Sequence, residues 1–152
     1  MDYKEIYQNL KKKWYPEMGA IDHAVTAHMI EVWKERDEAF LSDVDGLIDF
    51  VSAITKVSRV GIVQGGTSAR LVRCRHIVWW ALLNQVVKTG FSDGHIAALF
   101  SKTHATVSIA KSTTIPNAIE TDQEFREVLI QVANHYGMFA EWDGGGTIKV
   151  RR

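Results

Sequence analysis

Apolar positions along this chain recur mainly at helical spacing and divide it into a succession of short helices. Ile6, Leu10 and Trp14 fall at i, i+4 and i+8 and predict a helix over 2–14, ended by Pro16 and Gly19. Asp22 is placed to cap a second helix running to about Phe40, with Val25, Met29, Val32 and Trp33 as its apolar stripe. Ser42 or Asp43 is expected to cap a third, which carries Leu47, Phe50, Val51 and Ile54 to about Lys56. Gly65-Gly66 breaks the periodicity, so 58–68 predicts a short helical turn and then a loop.

Thr67 or Ser68 is placed to cap a long fourth helix, about 69–88, whose apolar residues predict the central buried element. Gly90 is its expected C-terminal stop. Ser92 caps a short helix, about 93–100, with Ile96, Leu99 and Phe100 inward, and Ser101-Lys102 makes a tight turn. Thr103 caps the next helix, which Pro116 is expected to limit to about Ile115. At 100° per residue, Val107, Ala110 and Thr114 share its inner side, with Ala105, Ser108 and Ser112 opposite. Ile109 is left with three open roles: a thymine-methyl contact, packing on a neighbouring helix, or plain exposure. Asp122 opens a last helix with Phe125, Val128, Leu129 and Val132, closed by Gly137. Gly144-Gly145-Gly146 then separates two strand-like runs, which read as a β-hairpin in preference to a disordered tail.

Composition adds exclusions. The chain has 152 residues, 46% hydrophobic and 24% charged, which is ordinary for one globular domain. The longest apolar run, Ile77 to Leu83, is far short of the about 20 residues that span a membrane. The N-terminal residues hold no apolar signal core, and one cysteine, Cys74, permits no intramolecular disulfide or cysteine-rich zinc site. The expectation is a soluble cytoplasmic protein with no cofactor, no bound nucleotide and no membrane partner.

Charge is balanced in total, 18 basic against 18 acidic, but unevenly distributed. Residues 1–49 carry 6 basic and 11 acidic side chains, whereas residues 50–115 carry 8 basic side chains and a single acid, Asp93. A basic middle between acidic ends suggests a polyanion-binding patch; the plainer alternative is an unevenly charged solvated surface. Residues 92–115 have the form of a helix-turn-helix, with small and polar residues on the outer side of the second helix that suit close approach to base edges. Arg70, Arg73 and Arg75 crowd the start of the long helix, where cations oppose the helix dipole, so an adjacent phosphate backbone is their expected partner. His23 and His28 share no helix face, and Cys74 and His76 point apart, so neither pair predicts a metal site or a nucleophile. Trp79-Trp80 reads as core with a neighbouring-helix contact rather than as a stacking platform, and the Lys11-Lys12-Lys13 run as a solvated helix end.

Two stretches carry a resemblance. Ile96-Ala97-Ala98-Leu99-Phe100-Ser101-Lys102-Thr103-His104-Ala105-Thr106-Val107, followed by Ala110, resembles the helix-turn-helix of the C-terminal duplex-DNA-binding domain (domain IV) of the bacterial chromosomal replication initiator DnaA. Upstream, Arg73-Cys74-Arg75-His76-Ile77 is similar to the opening of that family's central helix. The resemblance covers about 46–136. Thr103 stands for the family's aspartate, Ala105 for a serine or threonine and Lys102 for an arginine, so the initiator's own target sequence is not implied. No phosphate-loop motif occurs, so no ATPase is implied.

The resemblance implies an all-α helix-turn-helix domain over 46–137; the chain's own pattern adds an acidic helical extension, 1–45, and a tail or hairpin, 138–152. It implies a non-enzymatic, sequence-dependent binder of double-stranded DNA in replication or transcription control. Lys102, His104 and Thr106 would meet base edges or nearby phosphates, Ala105 a thymine methyl, and Arg73 and Arg75 the backbone, one of them reaching into the adjacent minor groove. Ser68, Arg70 and Thr103 would add phosphate contacts. The plainer role for His104 is a helix-capping one. Residues 1–45 would dimerise, hold a protein partner or shield the basic face. The competing expectation is a protein–protein adaptor that keeps the fold without strong DNA binding.

Overall fold

The computed structural model describes residues 42–152 apart from Gly65. The helices expected over 2–14 and 22–40, and His23 and His28, lie outside the described residues. The chain is mainly helical and ends in a two-stranded antiparallel hairpin. Helix α1 covers 42–55, α2 Arg59–Gln64, α3 Ala69–Leu83, α4 Asp93–Leu99 and α5 His104–Ile109. A π-helical turn, Ala110–Thr114, joins α5 to α6, Ile115–Thr121, and α7 is Gln123–His135. Strands β1, Phe139–Trp142, and β2, Ile148–Arg151, complete the fold. No helix among the described residues is long and apolar enough to cross a membrane.

One core joins these elements. Leu47, Ile48 and Val51 of α1 meet Ile77, Val78 and Leu82 of α3, with Ile96 and Leu99 of α4, Val107 of α5 and Phe125, Leu129 and Val132 of α7. Helix α3 is buried on all sides from Ile77 to Leu82, as its unbroken apolar run predicts. Trp79 and Trp80 are both inside, and Trp79 meets Phe100 edge-on at 5.7 Å. Val44 shares the core, so the boundary expected between residues 45 and 46 falls inside α1. Ser42 and Asp43 are already helical and are not its cap.

The helix starts follow the expected caps. Ser68 accepts from the Leu71 amide, Ser92 from His95, Thr103 from Thr106 and Asp122 from Phe125. The ends depart from expectation. Helix α3 stops at Leu83, not near Lys88, and Gly90 is not its stop. Gln85 turns left-handed, φ 54°, and the Gln85 and Val86 amides reach back to the Leu82 and Ala81 carbonyls. This is the glycine-type helix stop built on a glutamine, with buried Val86 anchoring it. Ser101, φ 53°, ends α4 in the same way, its amide bonding Ala98 and that of Lys102 bonding Ala97. Helix α7 uses a glycine, Gly137, at φ 75°.

Pro116 does not end the helix that begins at His104. In an α-helix its ring would strike the Ser112 carbonyl. The π turn admits one extra residue, the Ile115 amide bonds the Ala110 carbonyl, and α6 continues beyond the proline. The extra residue also changes which side chains face inward. In an unbroken α-helix Thr114 lies about 20° from Val107 around the axis and Ile115 about 80°. The insertion exchanges those placements: Thr114 is exposed, and Ile115 and Ile119 are buried.

The hairpin packs on α7 in the register Phe139–Arg151, Ala140–Val150, Glu141–Lys149 and Trp142–Ile148. Ile148 is buried, and the Arg126 guanidinium of α7 lies 3.8 Å from the Trp142 ring centroid. At the tip, Asp143 accepts from the Gly145 and Thr147 amides. Gly146 lies so close to Pro116 that a Cβ would sit 3.1 Å from the proline ring.

Candidate nucleic-acid interface

Helices α4 and α5 are joined by the four residues 100–103. Both sides of the turn are fixed by backbone bonding: the left-handed stop at Ser101 closes α4, and the Thr103 hydroxyl opens α5 by accepting from the Thr106 amide at 3.2 Å. The Thr103 and Thr106 hydroxyls are 2.9 Å apart. Ser92 and His95 make a reciprocal cap at the start of α4, the Ser92 amide donating to His95 Nδ1 at 3.1 Å. A turn tied at both ends presents its side chains in a defined order.

Thr103, His104, Ala105 and Thr106 are all exposed there, and Lys102 is half-buried. Val107 and Ala110 point inward. Ile109 is 59% exposed, so it does not pack on a described neighbouring helix. His104 is the first residue of α5 rather than its cap, and its Nδ1 lies 3.5 Å from the Ser108 hydroxyl.

Asp93, the one acid between residues 50 and 115, was not expected to matter here. Its carboxylate accepts from the Ser108 hydroxyl at 3.2 Å and pairs with Lys111 at 3.5 Å. It therefore ties the first turn of α4 to the middle of the following helix. Its isolation in a basic segment was the available signal.

The arginines are placed differently from the expectation. Arg75 is 4% exposed, and its guanidinium donates to the Gly66 carbonyl, holding the loop before α3. An enclosed Arg75 faces no duplex, so its expected backbone contact is corrected to a loop-holding role. Burial lowers its pKa and, with the Arg75 charge beside it, pushes the neighbouring His76 down to about 4. Arg70 donates to the Thr55 carbonyl at 2.9 Å, closing the C-terminal end of α1. Arg73 pairs with Asp122 and lies 5.7 Å from the Phe125 ring centroid. Arg59 pairs with Asp45 and Asp49 of α1. Much of the basic excess is thus met by acids and carbonyls of the protein itself. Helix stability alone did not explain arginines at the start of α3; contacts to three other segments do.

The structure does not bring the two groups of expected site residues into one cluster. Arg70 and Arg73 line a cleft of about 800 Å³ together with Thr114, floored by Ile54, Ile77 and Phe125. Thr114 lies ten residues beyond His104, about 15 Å along the helix axis. Ser68 is exposed and caps α3 at the same end as the arginines. Among the described residues no group of histidine, cysteine or acidic side chains is arranged to hold a metal ion.

Comparison of the chain with protein-family models, with curated proteins and with solved structures gives no match.

Proposed function

We propose that this protein binds double-stranded DNA in a sequence-dependent manner, in replication or transcription control, through a helix-turn-helix formed by α4 and α5 that resembles the DnaA C-terminal domain. The observation that carries this reading is the exposed row Thr103, His104, Ala105 and Thr106 on a turn fixed at both ends. These side chains are short, polar or methyl-bearing, and hydrogen-bonding groups of this kind suit base edges in a major groove. Lys102 stands beside them, and among the described residues no carboxylate pairs with it.

Lys102, His104 and Thr106 read base edges or nearby phosphates, and Ala105 meets a thymine methyl. The cleft lined by Arg70 and Arg73 reaches Thr114, about 15 Å along the helix axis from His104. With α5 in the major groove, Ser68, Arg70 and Arg73 meet the phosphate backbone in this reading. Arg75 contributes by holding the Gly66 loop from which that end starts.

Fluorescence anisotropy of a labelled random-sequence duplex at about 50 and 200 mM salt tests this reading, because neutralised phosphates release counterions. Binding that falls steeply with salt supports it. Salt-insensitive binding, or none at the lower salt, overturns it. One observation favours a protein–protein adaptor instead: Arg59, Arg70, Arg73 and Arg75 all have partners within the chain. Under that reading the full chain binds no duplex at low salt.

A further inference from the structure

The C-terminal hairpin has an inner face on α7 and an outer face that no described element covers. Alternation along the ladder places Phe139, Glu141, Lys149 and Arg151 on that outer face. All four are exposed, and Phe139, at 67%, is the most exposed large hydrophobic residue described. A single exposed apolar side chain needs no explanation. What surrounds this one is specific. Arg151 is its cross-strand partner, with the guanidinium 5.9 Å from the ring centroid. The next pair joins Glu141 to Lys149, and Arg152 follows in sequence. Phe139, Glu141, Lys149 and Arg151 border a hollow of about 360 Å³, near the lower end of ligand-site volumes.

The hollow offers an aromatic face, two cations and one carboxylate. Those groups match a flat aromatic ring, a phosphate and an amino donor, which a nucleotide combines in one unit. A membrane surface would meet one apolar side chain and a repelling carboxylate, so it fits less well. We propose that the outer face of the hairpin binds unpaired nucleotides of a single-stranded nucleic acid: the base stacks on Phe139, Arg151 and Lys149 meet the phosphates, and Glu141 accepts from an exocyclic amine. Adenine and cytosine carry that amine and thymine does not. The site therefore prefers adenine- or cytosine-containing strands over oligothymidine.

The platform is held firmly enough to act as one. Ile148 is buried on the inner face, the Trp142 indole donates to the Gly145 carbonyl at 2.8 Å, and Arg126 covers the Trp142 ring. None of these residues is part of the α4–α5 turn, so the proposal stands apart from the duplex reading.

The test is anisotropy of fluorescein-labelled (dA)12 and (dT)12 against the full chain and its variants, with a labelled duplex measured in parallel. The expected result is tighter binding of (dA)12 than of (dT)12. Phe139→Ala should weaken (dA)12 binding about tenfold, the size of one base–aromatic stack, and Phe139→Trp should restore it. Arg151→Glu should weaken both strands and flatten the salt dependence, and Glu141→Gln should narrow the preference for (dA)12. These side chains are exposed, so the variants keep the fold, which circular dichroism checks. No (dA)12 binding at low salt, or binding indifferent to Phe139→Ala and Arg151→Glu, overturns the proposal even if the duplex is bound. Loss of (dA)12 binding in Phe139→Ala upholds it even if the duplex is not.

Discussion

Arg73 and Asp122 form an ion pair that joins the second turn of α3 to the cap of α7, and the same Asp122 carboxylate accepts from the Phe125 amide at 3.0 Å. One side chain therefore does two things: it caps a helix and it occupies an arginine on the face proposed for DNA. The two can be separated, because asparagine caps a helix nearly as well as aspartate but carries no charge.

Asp122→Asn should change stability by less than about 1 kcal/mol, since the pair is partly exposed. It should strengthen duplex binding by releasing Arg73, and Arg73→Ala in the same background should abolish the gain. Asp122→Ala should also remove the cap and lower stability by about 1 kcal/mol. Urea denaturation beside duplex anisotropy measures both effects.

Arg75→Ala should act on the fold before it acts on any ligand. It leaves the Gly66 carbonyl without its donor and empties an enclosed side-chain site. The expected loss is about 1–3 kcal/mol by chemical denaturation. Hydrogen exchange should quicken first around residues 66–68. Lysine cannot reproduce the planar guanidinium, so Arg75→Lys should rescue only in part.

Lys102→Ala and His104→Ala separate affinity from preference. If Lys102 meets a phosphate, its loss weakens all duplexes alike and lowers the slope of log affinity against log salt by about one. If it reads a base edge, selection from a randomised duplex pool shifts at one position instead. His104→Ala should alter the selected sequence, with a discrimination loss of about 1–3 kcal/mol at the position it reads. Neither side chain belongs to the core, His104 being exposed and Lys102 half-buried, so the melting temperature should hardly move.

His76 gives a pH dependence with a definite sign. Its pKa is about 4 in the folded protein and ordinarily near 6.5, so the unfolded chain binds the extra proton first. The stability that depends on a neutral His76 is complete above about pH 6.5 and is lost as the pH falls toward 4. The loss has an upper bound of about 3 kcal/mol, reduced because the ring is only part-buried. His76→Phe should flatten the fall in denaturation midpoint between pH 6.5 and 4.

The caps at Ser68, Ser92, Thr103 and Asp122 were legible because a short oxygen-bearing side chain before an apolar period has one dominant use. The ends of α3 and α4 were not, because Gln85 and Ser101 take a conformation that sequence assigns to glycine. At Gln85 the decisive factor is burial of Val86 just beyond it, a tertiary effect. Pro116 was legible as a disturbance, but a π turn and a full stop look alike until the following helix finds its packing. The exposed row from Thr103 to Thr106 could be read from the wheel. The engagement of Arg70, Arg73 and Arg75 could not, since Thr55, Asp122 and Gly66 come from three separate segments.

The π turn makes one continuous helix answer to two sets of evolutionary rules. Upstream, only Val107 and Ala110 are anchored in the core, so core packing does not restrict which side chains stand at the outer positions of α5. Downstream, Ile115 and Ile119 are seated by a phase that depends on the number of residues from 110 to 114 rather than on their identity. Deleting one of those five residues would swing α6 by about 100° and pull the hairpin tip off Pro116. Lineages of this fold should therefore diverge by replacement in α5 while keeping the length of the turn after it.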